Sequence, residues 1–228
     1  MLFLDQNIKG LCGRFGVDFY QLLKDFDVDN VSELSILDLE AIAEEYEVDF
    51  YSLLFKPLFI LDHLKPKIEK IKLLILDVDG VMTDGGMYYS ENGDQMKKYN
   101  TKDGMGILKA KEKGISFGII SSAFVDKMVK NRAETLKIDH VYVGRDQKID
   151  VLNGWCANMG ISLDEVAIIG DDINDLSLIK NVGFSACPAD AVPLVKHACD
   201  VVLSKKGGEG VVRELIDNYL LETPITNF

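Results

Sequence analysis

The stretch LLILDVDGVMTDGG, residues 73–86, decides the fold. Four apolar residues, Leu73 to Leu76, run directly into Asp77, Asp79 and Asp84, with no basic residue among them. A short continuous apolar run that stops this abruptly reads as a buried strand ending at a loop. Carboxylates held close together repel, and each resists losing water. The cluster therefore needs a counterion, a shared proton or full exposure. A bound Mg²⁺ meets that need in one step.

Outward from this strand, residue 71 onward alternates short apolar runs with helical patterns. The runs at 72–76, 116–120, 140–143, 166–169, 183–186 and 201–203 predict strands. The stretches near 104–113, 124–136, 147–159, 174–180, 191–197 and 209–221 predict helices. That alternation predicts an α/β fold, a doubly wound parallel sheet with helices on both faces. Ligands in such sheets bind beyond the carboxyl ends of the strands. One insertion departs from the pattern: MYYSENGDQMKKYN, 87–100, has two β-prone runs around Glu91-Asn92-Gly93-Asp94, a strong hairpin signal. Such a hairpin would stand over the strand ends as a flap, and its Tyr88, Tyr89 and Tyr99 suggest a subunit contact.

The first 70 residues form a different region. NIKGLCGRFGVDFYQLL (7–23) aligns without gaps on DLEAIAEEYEVDFYSLL (38–54), sharing VDFY. In each copy apolar residues recur at helical spacing, break before Val-Asp and resume with Leu-Leu. This predicts helix, turn and helix, twice, with Asp18 and Asp49 as N-caps. The boundary is expected at 66/67, within the Lys- and Pro-containing joint HLKPKIEKIK (63–72). The small all-helical module at 1–66 resembles the helix-turn-helix of repressor-like domains. Yet residues 1–70 carry seven Lys and Arg against fourteen Asp and Glu. That balance opposes phosphate contacts, so an interaction or oligomerisation module is the expectation.

The whole chain of 228 residues has a net charge of −12, which disfavours nucleic acid and anionic membranes as partners. It does not exclude a small anionic substrate, because one metal ion reverses the local field. Cys12, Cys156, Cys187 and Cys199 lack CxxC spacing and read as buried reduced thiols of a cytoplasmic protein. The start, MLFLDQNIKG, does not read as a secretion signal. The most apolar segment, YSLLFKPLFILDHL (51–64), is too short to span a bilayer and reads as a kinked core helix.

Four features fall in order at successive strand ends: Asp77-Val78-Asp79-Gly80-Val81, then Ser121-Ser122, then Lys148, then Gly170-Asp171-Asp172-Ile173-Asn174-Asp175. This order resembles the haloacid dehalogenase superfamily of aspartate-nucleophile phosphatases over residues 71–221. LDVDGVMTDGGMYY, YNTKDGMGI and KKGGEGVVRELI resemble its capless branch, which contains 3-deoxy-octulosonate 8-phosphate and acylneuraminate 9-phosphate phosphatases. The resemblance implies Mg²⁺, a phosphorylated 2-keto-3-deoxy sugar acid as substrate, and a homotetramer whose hairpins build a central barrel. YNTKDG, GGMYY and GGEG lean toward the nine-carbon acids.

The resemblance also implies roles. Asp77 would attack phosphorus and form an aspartyl phosphate, and Asp79 would serve as general acid and then base. Asp77, the Asp79 carbonyl and Asp171 would hold Mg²⁺. Lys148, Ser121 and Ser122 would bind the phosphoryl group. Asp175 would orient Lys148 or a metal-bound water, with Asp172 behind the metal ligands. Asn174 would either join the site or cap the following helix. Lys205 and Arg213 would meet the substrate carboxylate, unless Arg213 simply pairs with Glu209. The chain departs from the family at Ser121-Ser122-Ala123, where relatives have a Gly and then a basic residue. The competing expectation is a regulatory or scaffold protein in which the N-terminal repeat is the functional part.

Overall fold

The structure, a computed structural model, describes residues 3–55, 57–59, 64–91, 95–123 and 126–221. The hairpin tip at Asn92-Gly93-Asp94 and parts of the 51–64 segment and the 63–72 joint lie outside the described residues. Among the described residues, those up to 59 form a first unit and those from 64 to 221 a second.

In the first unit the repeat folds as two helix pairs. α1 (Leu4–Phe15) and α2 (Phe19–Asp25) form the first, α3 (Ile36–Glu45) and α4 (Phe50–Phe55) the second. Equivalent repeat positions supply the core: Ile8 and Leu39, Leu11 and Ile42, Cys12 and Ala43, Leu22 and Leu53 are all buried. Asp18 accepts the Gln21 N–H and Asp49 accepts the Ser52 N–H, each at 2.8 Å, so both cap as expected. Ser35 and Asp38 add a reciprocal capping box at the start of α3. The buried Asn7 amide ties the pairs together: it donates to the Leu53 carbonyl and accepts from the Leu58 N–H.

The second unit opens with the short helix α5 (Lys65–Ile68) and strand β1 (Leu73–Leu76). A hairpin follows, β2 (Tyr88–Tyr89) and β3 (Gln95–Met96). Then come α6 (Thr101–Glu112), β4 (Ser116–Ser121), α7 (Lys127–Thr135), β5 (His140–Val143), α8 (Lys148–Met159) and β6 (Val166–Ile169). α9 (Leu176–Ile179), β7 (Phe184–Cys187), α10 (Pro193–Ala198), β8 (Val201–Val202) and α11 (Val211–Leu215) complete it. Six parallel strands form one sheet in the order β5-β4-β1-β6-β7-β8. β1 lies inside the sheet, paired with β4 and β6, which is why Leu73 to Leu76 could be apolar without alternation. All four are fully buried, and each such side chain contributes about 1.5–3 kcal/mol.

The sequence expectations need small corrections. α6 starts at Thr101, capped by Asn100, and α7 starts at Lys127. Cys199 is only partly buried, while the other three cysteines are buried and all four are free. Among the described residues, no helix is long and apolar enough to cross a membrane.

Candidate active site

The strand order brings the four sequence features together. β5, β4, β1 and β6 are consecutive neighbours. Their carboxyl ends and the segments just beyond them carry Lys148, Ser121, Asp77 and Asp171 in that spatial order. The Asp77 N–H donates to the Ile169 carbonyl at 3.1 Å, so the first aspartate still sits on the β6 ladder. Beyond it the chain leaves strand geometry: Gly80 has φ +91°, a conformation that strains any residue with a side chain. A Cβ there would also come within 2.0 Å of the Asp171 Oδ2. The missing side chain is therefore the space that the Asp171 carboxylate occupies.

At the centre, Lys148 Nζ donates to Asp77 Oδ1 and to Asp175 Oδ1, both at 2.6 Å. All three side chains are buried. Asp175 spends its second oxygen on the Asp171 N–H, at 3.1 Å, and so holds both the lysine and the loop. Carboxylate oxygens of Asp77, Asp171 and Asp175 lie within 4.8 Å of one another. Three carboxylates facing one ammonium leave two negative charges uncompensated. Burial, then the Asp175 charge, pushes the Asp77 carboxyl well above the usual carboxylate range, against the pull of Lys148. Asp171 is pushed up to about 7, by burial and then by Asp175 and Asp172. Burial alone would lower the Lys148 pKa, but Asp77 and Asp175 outweigh it and hold the ammonium protonated. A divalent cation matches the charge deficit, and the hard oxygen donors suit Mg²⁺.

The adjoining cavity, about 380 Å³, is lined by Asp77, Asp79, Ser121, Ser122, Asp171 and Asn174, with Met87, Tyr89 and Lys97 of the hairpin segment also in its wall. The buried Ser121 hydroxyl accepts the Ala123 N–H at 3.2 Å, shaping the turn that presents Ser122. Asp172, exposed, caps its own turn by accepting the Ile173 N–H at 2.7 Å. That leaves Asn174 in the cavity wall and not in a capping position.

Lys205 and Arg213 are outside this lining. The Arg213 Nε donates to Asp217 at 2.6 Å, so its partner is Asp217 and not Glu209. The Gly-rich segment before α11 nevertheless abuts the first loop: the Gly208 N–H donates to the Val81 carbonyl at 2.9 Å, and a Cβ on Gly207 would strike the Gly80 carbonyl. Two basic residues went unassigned in the sequence. Lys97, from the segment after β3, ion-pairs with Asp79. Arg145, from the loop after β5, lines the same cavity as Ala123.

Comparison with known proteins agrees with this geometry. The family model for haloacid dehalogenase-like hydrolases matches residues 140–215. The chain is similar to the 3-deoxy-D-manno-octulosonate 8-phosphate phosphatase of Salmonella typhi, 40% identical over 159 residues, covering 70% of this chain and 84% of the relative. It is similar to the crystal structure of the enzyme of that name from Yersinia pestis, with 38% identity, TM-score 0.68 and coverage of 71% and 87%. The Moraxella catarrhalis enzyme of that name, crystallised with a magnesium ion, a phosphate ion and a KDO molecule, matches with 34% identity, TM-score 0.66 and coverage of 69% and 90%. Mg²⁺ is thus the cofactor that both the charge balance here and that relative indicate. With its parallel sheet, its strand-end carboxylates and these relatives, the chain belongs to the haloacid dehalogenase-like hydrolases and is a phosphatase of that family.

Proposed function

We propose that the chain hydrolyses the terminal phosphate of a 2-keto-3-deoxy sugar acid, with the eight-carbon 3-deoxy-octulosonate 8-phosphate as the first candidate. The observation that carries the reading is the buried Asp77–Lys148–Asp175 array beside Asp171, at the mouth of a cavity walled by the hairpin. The eight-carbon acid is favoured over the nine-carbon acids by the relatives' activities. In this reading Asp77 is the nucleophile. Lys148 holds it in place and neutralises a phosphoryl oxygen, while Ser121 and Ser122 bind the phosphoryl group from the neighbouring strand end. Asp79 gives a proton to the departing sugar oxygen and takes one from the attacking water. Asp77, Asp171 and the Asp79 carbonyl would hold Mg²⁺, whose charge lets an anionic nucleophile approach an anionic phosphate. A panel of sugar phosphates, assayed for released phosphate with Mg²⁺ and again with chelator, tests the proposal. Metal-dependent turnover strongest on the eight-carbon acid is expected. A preference for the nine-carbon acid would move the substrate, and metal-independent turnover would sink the reading.

Catalysis is assigned to the second unit, which opens with α5, and the helical module to the first, and the four free thiols fit a reducing cytoplasm. Tyr88 and Tyr89 are 58% and 61% exposed on the hairpin, with Met87 and Met96 beside them. Apolar groups gathered this way favour burial between subunits, and a homotetramer is proposed. A chain beginning at Lys67 should sediment as a tetramer and keep turnover on an aryl phosphate. The double substitution Tyr88→Ser, Tyr89→Ser should yield smaller species. A full-length monomer with complete activity would refute the assembly.

A further inference from the structure

The mechanism above leaves one buried cation without a task. The Lys97 side chain is only 2% exposed, and its ammonium is paired with Asp79. A lysine enclosed to this extent needs an acceptor for its charge, and the carboxylate of Asp79 is the acceptor that the fold provides. Lys97 follows β3, whose Met96 pairs with Tyr88 across the hairpin and points its side chain to solvent. The next residue, Lys97, is enclosed and stands in the cavity wall with Met87 and Tyr89.

Asp79 itself stands on an irregular turn, between the strand tip and Gly80 with its left-handed φ of 91°, and its side chain is 34% exposed. The backbone alone offers a carboxylate in that position several rotamers. Resting on the phosphatase reading, we propose that Lys97 is a positioning residue. It reaches from the hairpin to fix the Asp79 carboxyl group where the leaving oxygen will be. The substrate, binding as its phosphate monoanion, gives its proton to Asp79; as the bond between phosphorus and the sugar oxygen breaks and the Asp77 oxygen bonds to phosphorus, that proton passes to the departing oxygen. Asp79, now a carboxylate, later takes a proton from the attacking water. Because its charge is committed to Asp79, Lys97 is not the phosphate cation; Lys148 already holds that place.

The test uses the full chain with Mg²⁺ and a series of aryl phosphates whose leaving groups differ in basicity, reading kcat/KM. Basic leaving groups need the proton from Asp79, whereas 2,4-dinitrophenolate hardly does. Lys97→Met should lose about 100-fold on phenyl phosphate, in the range that general acid catalysis supplies. The loss should shrink steadily toward 2,4-dinitrophenyl phosphate, which steepens the dependence on leaving-group basicity. In an Asp79→Asn background the same substitution should add little, because both changes remove one function. An equal loss across the series, no loss, or full additivity with Asp79→Asn would overturn the proposal. Should the methionine variant fail to fold, Lys97→Arg keeps the charge and moves the donor: a steeper dependence is expected, and a wild-type dependence overturns the proposal. Absence of wild-type turnover on the whole series would instead strike the phosphatase reading on which the proposal rests.

Discussion

Asp77→Asn is expected to abolish turnover, by at least about 10⁴-fold in kcat, while the fold survives. The scale is that of nucleophile replacements in enzymes whose groups act as a unit. An amide of the same size cannot form the acyl phosphate and is a weaker metal ligand. Its effect on stability should run the other way. Burial, then Asp175, raises the Asp77 pKa and favours its neutral form in the metal-free fold, so a neutral amide costs little there, and without Mg²⁺ the variant should melt no lower than the wild type. The pH dependence has a definite sign. With folded pKa values raised, Asp171 to about 7 and Asp77 also upward, the folded chain keeps protons that the unfolded chain has already released. Metal-free wild-type stability therefore falls as pH rises from about 4 through the folded Asp171 value of about 7. Added Mg²⁺ should offset that fall by binding the ionised carboxylates. Thermal melts across this range, with and without Mg²⁺, check both points. Turnover by Asp77→Asn near the wild-type level would remove the nucleophile assignment.

Lys148→Met should be nearly as damaging to activity, about 10²- to 10³-fold in kcat, the scale of losing one preorganised charge on the transferring group. Here the effect on stability is opposite to that of Asp77→Asn. Lys148 is the ammonium shared by Asp77 and Asp175, and it is 4% exposed. Deleting it leaves two buried carboxylates facing each other, at a cost of about 3–5 kcal/mol. A lowered melting temperature and lost activity are expected together. Restoring stability by adding Asp175→Asn, without restoring activity, would separate the structural task of the lysine from its contact with phosphate. A Lys148→Met variant as stable and active as the wild type would contradict the central geometry.

The sequence alone determined what depends on local periodicity and chain order. Leu73 to Leu76 had to be a two-sided buried strand, because nothing polar interrupts them before Asp77. The VDFY repeat specified paired helices and their Asp18 and Asp49 caps, since a cap and its amide lie within one turn of chain. Asp77, Ser121, Lys148 and Asp171 converge because parallel strands with right-handed crossovers deliver every strand end to one edge. What only tertiary structure decided are the partners drawn from distant segments or chosen among several nearby. Asp79 pairs with Lys97, 18 residues further along the chain, a reach that no periodicity encodes. Arg213 prefers Asp217 over Glu209, although each lies four residues away, because the α11 chain continues as helix through Leu220 and keeps Asp217 on the same face. Asp175 serves Lys148 and the Asp171 amide at once, because a buried carboxylate must satisfy both oxygens from whatever the folded loops bring within reach. Arg145 joins the cavity wall for a similar reason. The placement of a long side chain depends on how neighbouring strand ends are spaced in the sheet, and chain position alone does not specify that spacing.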